Sequence, residues 1–278
     1  MGCALLATAP AELTIIPRTH ETLDIACPNS VDEAIAADHP DVIINAAAYT
    51  AVDLAESNRP LAYRINADGP RILATAARLN NIRMVHLSTD FVFDGASRQA
   101  YHRAATVRPL NVYGASKAAG EEAVRAILPD ALILRTSWLY SSMGKNFALT
   151  MLGLMAEHDR LRVVSDQFGT PTHAKSLARA LWLLLANGAK GTLHLTDAGE
   201  ASWHEFAVAI RDEATSLGLL RKPALIEPIS SAEFAAAAPR PAFSVLDSSD
   251  TWSSLHLSAP HWRQELNSML VELTEIEI

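Results

Sequence analysis

The chain has 278 residues, 49% of them hydrophobic, a formal net charge of -8 and a sequence pI near 5.7. That is enough to bury a sizeable core in one large domain or one domain with a smaller partner, and the singly scattered Arg and Lys residues offer no basic stripe to a nucleic acid. No apolar run approaches the ~20 residues that span a bilayer, and Cys3 and Cys27 make neither a metal-ligand spacing nor a disulfide framework, so a reducing, cytoplasmic compartment is expected.

In chain order, "MGCALLATAP" comes first. Leu6 stands where a myristoylation signal needs Ser or Thr. A basic n-region and a long apolar segment, the marks of a secretion signal, are also lacking, so the stretch reads as a helix. "LTIIP" follows as a strand. A helix "SVDEAIAAD" is expected next, with Ser30 and Glu33 spaced as a capping box. Strands "DVIINAA", "RMVHLST", "ALILRTS", "LRVVS" and "GTLHLT" then alternate with the helical "PLAYRINADGPRILATAARLN", "SKAAGEEAVRAIL", "NFALTMLGLMAEH" and "AKSLARALWLLLAN". Strands written as continuous apolar runs are buried on both faces, as in a parallel sheet. The alternation predicts a doubly wound, Rossmann-like α/β fold. Ligands in such a fold sit beyond the carboxyl ends of the strands. From about Gly144 the pattern loosens into "SWHEFAVAIRDEATSLG", the Pro-rich "APRPAFSVLD" and a closing helix "APHWRQELNSMLVEL". The expected organisation is a dinucleotide-binding domain over 1–143, with 161–190 returning to it, and a smaller substrate lobe over 144–278.

Chemistry concentrates in "PLNVYGASKAAGE". Tyr113 and Lys117 are four residues apart at a helix start, on one face. A neighbouring ammonium favours the phenolate and would lower a phenol from its usual ~10, as a carbonyl/alcohol redox step with proton transfer to oxygen requires. Alone, the spacing fits an aromatic packed beside a solvated Lys equally well. Its context is more telling. "HLSTDFVFDG" puts Ser88 and Thr89 at a strand's carboxyl end, and "INAAAYTAVD" ends a strand in Ala46, Ala47 and Ala48, where backbone can approach a flat ring.

Together these residues resemble the extended short-chain dehydrogenase/reductase superfamily. Within it, "NAAAYTAVDLAE", "STDFVFDG", "PLNVYGASKAAGE", "RTSWLYSSMGKNF", "DQFGTPT", "SWHEFA", "RPAFSVLD" and "PHWRQEL" resemble, in order and spacing, the dTDP-4-dehydrorhamnose reductase family. The resemblance implies Tyr113 as proton donor, Lys117 as the group tuning it and holding the nicotinamide ribose, and Thr89 as the carbonyl anchor. It implies Gly2, Asp24, Ala46, Ala47, Ala48, Thr50 and Ser88 along the cofactor, and Asp90, Trp138, Asn146, Gln167 and Arg240 along a nucleotide-sugar. A core aromatic is the plain alternative for Trp138, and a helix-start polar residue for Asn146. Nucleotide-sugar dehydratases carry an acidic pair after the threonine; here Phe91 follows Asp90, which favours a simple 4-keto reduction. Pro17 stands at the ribose-reading position with Arg18 beside it, so NADPH is expected over NADH. A homodimer is a further expectation, and a role for Mg2+ is not readable from the residues.

The family opens with a strand and a G-x-x-G-x-x-G turn that holds the cofactor pyrophosphate on backbone N–H groups. Gly2 matches only its last glycine, so about ten residues of strand and loop are expected to be absent ahead of Met1. The favoured reading is a start further upstream. A binding role like that of the methionine adenosyltransferase regulatory (beta) subunit, or an inactive truncated form, is the alternative.

Overall fold

The computed structural model describes residues 1–276. Its helices are α1 (Gly2–Ala7), α2 (Pro28–Asp38), α3 (Val52–Ser57), α4 (Arg59–Tyr63), α5 (Gly69–Leu79), α6 (Val112–Ile127), α7 (Phe147–Glu157), α8 (Ala174–Ala186), α9 (Trp203–Ser216), α10 (Ser231–Phe234), α11 (Ser249–Ser254) and α12 (Trp262–Ile276). Its strands are β1 (Val42–Asn45), β2 (Arg83–Thr89), β3 (Leu132–Thr136), β4 (Leu139–Tyr140), β5 (Arg160–Val164), β6 (Phe168–Gly169), β7 (Thr172–His173), β8 (Gly191–His194), β9 (Ala201–Ser202) and β10 (Leu225–Ile229).

The central sheet is parallel, in the order β1–β2–β3–β8. Side chains alternate between its faces as strand geometry dictates. Val85, Leu87, Leu132, Leu134 and Leu193 meet α1 and α8 through Ala4, Leu5, Leu177 and Leu181. Met84 and Ile133 face the other way, onto Ile72, Leu73 and Ala76 of α5, Val31 of α2 and Val124 of α6. Helices therefore cover both faces, which is why these strands read as unbroken apolar runs. The Rossmann-like α/β expectation is borne out.

Two local expectations are not. Residues 11–18 form no strand: Leu13 and Ile16 are exposed, and only Ile15 packs on the core. β1 is the edge of the sheet, and no strand among the described residues pairs along its outer side. An apolar run with β propensity needs a partner's N–H and C=O groups to become a strand. The capping box at Ser30 does not form either. Helix α2 starts earlier, with Cys27 as N-cap and Pro28 in its first turn, where a missing N–H costs nothing. The Ser30 hydroxyl instead accepts from the Asp24 N–H at 3.2 Å. The long helix expected over 60–80 does form, running without interruption from α4 through a π-turn over Arg64–Asp68 into α5.

Strand β5 lies outside the central sheet and pairs in parallel with β10. Around this ladder α7, α9 and α12 close a second core containing Met151, Phe206, Ile210, Trp262 and Leu266. Two short ladders, β4 with β7 (parallel) and β6 with β9 (antiparallel), bring residues 139–140 and 168–173 together beyond the end of β3.

Candidate active site

Helix α6 begins at Asn111, whose side chain accepts from the Gly114 N–H at 2.7 Å. That cap places Tyr113 and Lys117 on the turns facing the carboxyl end of β2. Close approach is built in: a Cβ on Gly114 would overlap the Phe91 carbonyl oxygen, and one on Gly120 would overlap that of Asn66. Only glycine lets the helix sit this near to its neighbours. Lys117 is buried and donates from Nζ to the Leu87 carbonyl at 2.6 Å. Tyr113 is 9% exposed, with the Phe91 ring packed edge-on at 5.6 Å. Thr89, at the end of β2, accepts from the Phe91 N–H at 3.2 Å and donates to Asp90 Oδ1 at 3.0 Å. The other oxygen of the Asp90 carboxyl is buried and lacks a partner.

The electrostatics differ from expectation. Lys117 does not pull the phenol down; burial pushes Tyr113 up to about 12, offset in part by the neighbouring Thr89 hydroxyl and reinforced by nearby Asp90. Burial also lowers Lys117 to about 8, countered by the charge of Glu121. Asp90 is raised to about 6, again mainly by burial, with the hydrogen bond from Thr89 working against it. In this low-dielectric corner desolvation outweighs pairing. A phenol so held is neutral at neutral pH and can donate a proton to a developing alkoxide.

Thr89, Asp90, Tyr113 and Lys117 are thus brought together. Ser88 turns to the opposite face and donates to Glu121 Oε1 at 2.6 Å. Past β1, Asn45 Oδ1 accepts from the Ala47 N–H at 3.1 Å, and Ala46–Ala48 and Thr50 run along the open end of the sheet, Ala47 and Thr50 exposed. Gly2 starts α1 with nothing against it. Arg18 is engaged in a bidentate pair with Asp38, and Asp24 accepts from the Ala26 N–H and Arg64.

Trp138 follows β3 and is half-buried. Asn146 caps α7, accepting from the Leu149 N–H at 3.2 Å. Gln167 donates to Ser231 at 2.8 Å, and Arg240 makes a bidentate pair with Asp53 at 2.7 and 3.2 Å.

Several supporting residues have no local sequence signal. Asn66, in the π-turn, accepts from the Tyr49 N–H at 2.8 Å and donates to the Tyr49 carbonyl and Ser116, both at 3.0 Å. Glu121 and Arg135, each 2% exposed at the side chain, form a buried bidentate pair at 2.6 and 2.8 Å. Arg135 also lies over the Phe93 ring. His86 contacts Asn45 at 3.1 Å through Nδ1 and is held neutral by burial and by the Lys117 charge. A π-turn inside a helix is a common mark of a functional site, and this one is visible only in the structure.

A doubly wound α/β sheet with a Tyr–Lys pair facing a hydroxyl at a strand end defines an oxidoreductase of the short-chain dehydrogenase/reductase class. The chain matches the model "RmlD substrate binding domain" over residues 1–275, and it belongs to that family. It is 40% identical over 278 residues to the dTDP-4-dehydrorhamnose reductase of Mycobacterium tuberculosis (strain ATCC 25618 / H37Rv), covering 97% of this chain and 89% of the relative. The dTDP-4-dehydrorhamnose reductase of Sinorhizobium fredii is 38% identical over 280 residues, covering 97% and 93%. The crystal structure of dTDP-4-dehydrorhamnose reductase from Bacillus anthracis in complex with NADP superposes with a TM-score of 0.93 at 37% identity, covering 98% of this chain and 95% of that one.

Proposed function

We propose that this chain reduces the 4-keto group of dTDP-4-dehydro-6-deoxy-L-mannose with NADPH, giving dTDP-L-rhamnose. The observation that carries the reading is the buried Tyr113 with the buried Lys117 one turn along α6, Lys117 Nζ donating to the Leu87 carbonyl two residues before Thr89 ends β2. Phe91 sits against that phenol where a dehydratase would carry a second carboxylate, which supports reduction over elimination.

The residues present fit the nicotinamide half of the cofactor. Ala46–Ala48 leave backbone open to a flat ring. Among the described residues the Lys117 ammonium has one hydrogen-bond partner, Leu87, so N–H groups remain for ribose hydroxyls. When bound, NADPH supplies the hydride. Thr89 orients the keto oxygen, Tyr113 gives that oxygen its proton, and Lys117 holds the nicotinamide ribose. Trp138, Asn146, Gln167 and Arg240 belong to the nucleotide-sugar side of this reading, and Asp90 to the sugar itself. Cytoplasmic location and a homodimer accompany it. No helix among the described residues is long and apolar enough to cross a membrane.

The test is NADPH consumption with the dTDP-keto-sugar, followed by absorbance. The expected result is sugar-dependent oxidation that Tyr113→Phe lowers by roughly 100- to 10,000-fold, the usual worth of a general acid. Oxidation equally fast in Tyr113→Phe contradicts the proposal.

A further inference from the structure

Trp138 has a backbone φ of 44°, a left-handed conformation in which a bulky side chain is a genuine outlier. Such a residue is strained and persists only where its surroundings enforce it. Here they do. The Ser137 hydroxyl before it donates to the Thr170 carbonyl at 2.8 Å, and the Trp138 carbonyl accepts from the Thr172 N–H at 3.2 Å. The Trp138 indole lies flat on that of Trp203, with centroids 3.4 Å apart and planes within 4°. Phe147 braces Trp203 from α7 at 4.6 Å. On the other ladder, Gly169 closes in: a Cβ there would lie 2.5 Å from the Trp138 Nε1 and Cε2 atoms.

Core packing does not account for this. The lobe's interior aromatics, Tyr140, Phe206 and Trp262, are fully buried, whereas Trp138 and Trp203 are only half-buried at the edge of the same cluster. Two half-exposed indoles, a strained backbone and a glycine cut to fit one of them sit beyond the carboxyl end of β3, on the side where Thr89 ends β2.

We infer that Trp203 and Gly169 clamp the Trp138 indole as a preset wall for the nucleotide-sugar, which makes Trp203 a positioning residue for substrate. The inference rests on the reading that Trp138 faces the sugar. Its consequence is that loosening the clamp weakens sugar-nucleotide binding while leaving the Thr89–Tyr113–Lys117 chemistry intact. A single aromatic brace of this kind changes affinity on the order of tenfold at most.

The experiment compares Trp203→Leu, Trp203→Phe, Gly169→Ala and Trp138→Ala. It measures KM for the keto-sugar, kcat, KM for NADPH, and calorimetric binding of dTDP-L-rhamnose to the full chain. Trp203→Leu and Gly169→Ala are expected to raise the sugar KM and the product Kd by roughly 3- to 10-fold. They should leave kcat and the NADPH KM within about twofold, with Trp203→Phe restoring most of the loss. If Trp138→Ala weakens sugar binding but Trp203→Leu and Gly169→Ala do not, the clamp is wrong and the site reading stands. If Trp138→Ala leaves binding unchanged, the sugar-facing role of Trp138 and the clamp fall together. Near-ultraviolet circular dichroism identifies a variant that has lost its fold, and Gly169→Ala then decides alone.

Discussion

In the proposed reaction Tyr113 arrives as a neutral acid because burial, rather than a charge, sets its proton affinity. The same physics acts on Asp197, which is buried and raised to about 7, despite hydrogen bonds from the His173 N–H at 2.8 Å and Ser176 at 2.5 Å. Its folded-state pKa lies above the unfolded value of ~3.9, so the folded state holds the extra proton between these values. The stability it contributes is fully present below about pH 4 and is lost as pH rises through about 7. Thermal unfolding should therefore show a decline in stability over that window, and Asp197→Asn should flatten it; an unchanged profile contradicts the assignment. At this scale the sequence was legible where chemistry is local. The four-residue spacing of Tyr113 and Lys117 and the place of Thr89 at a strand end survive into the structure. The direction of the tyrosine shift was not legible, because desolvation depends on what the fold packs around the phenol.

Among elements, α6 carries most of the site, and its position depends on two contacts remote in sequence. Glu121 is tied to Arg135 of β3 and Ser88 of β2, locking the helix to both strands. Removing one partner of a buried pair leaves an uncompensated charge, so Glu121→Ala should cost about 3–5 kcal/mol, while a Glu121→Met/Arg135→Met double variant should recover much of it. Urea denaturation of the three proteins checks this. Gly114→Ala tests the helix start: the new Cβ meets the Phe91 carbonyl and must push α6 off β2. A shift of about 1 Å at reacting groups costs on the order of 100-fold, so kcat should fall far more than stability does. Neither contact was readable from the chain, since pairing partners far apart leave no periodicity. The misread strand at 13–17 has the converse cause: its apolar pattern is local, whereas a strand exists only with a neighbour. The Ser30–Glu33 spacing likewise lost to Pro28, which starts the helix three residues sooner.

For the whole molecule, β2 and α6 supply Thr89, Tyr113 and Lys117, and the loop carrying Pro239 and Arg240 is fastened beside them by Arg240 on Asp53 and by Asn111 Nδ2 donating to the Pro239 carbonyl at 2.8 Å. Because Asp53 is 45% exposed at its side chain, the ion pair is worth at most about 1 kcal/mol. Arg240→Ala should leave the urea midpoint nearly unchanged and raise the sugar KM. A large stability loss with unchanged KM would instead assign Arg240 to loop docking alone. The alternation of strands and helices made the sheet readable in outline, while the fastening of the Pro-rich loop rests on single side chains that carry no pattern. The most direct measurement of the account is the fate of the hydride. Reduction of the dTDP-keto-sugar with NADPH deuterated at nicotinamide C4 should place one deuterium at C4 of dTDP-L-rhamnose, read by NMR, and Tyr113→Phe should suppress its appearance. Deuterium found elsewhere, or transfer undiminished in Tyr113→Phe, would contradict it.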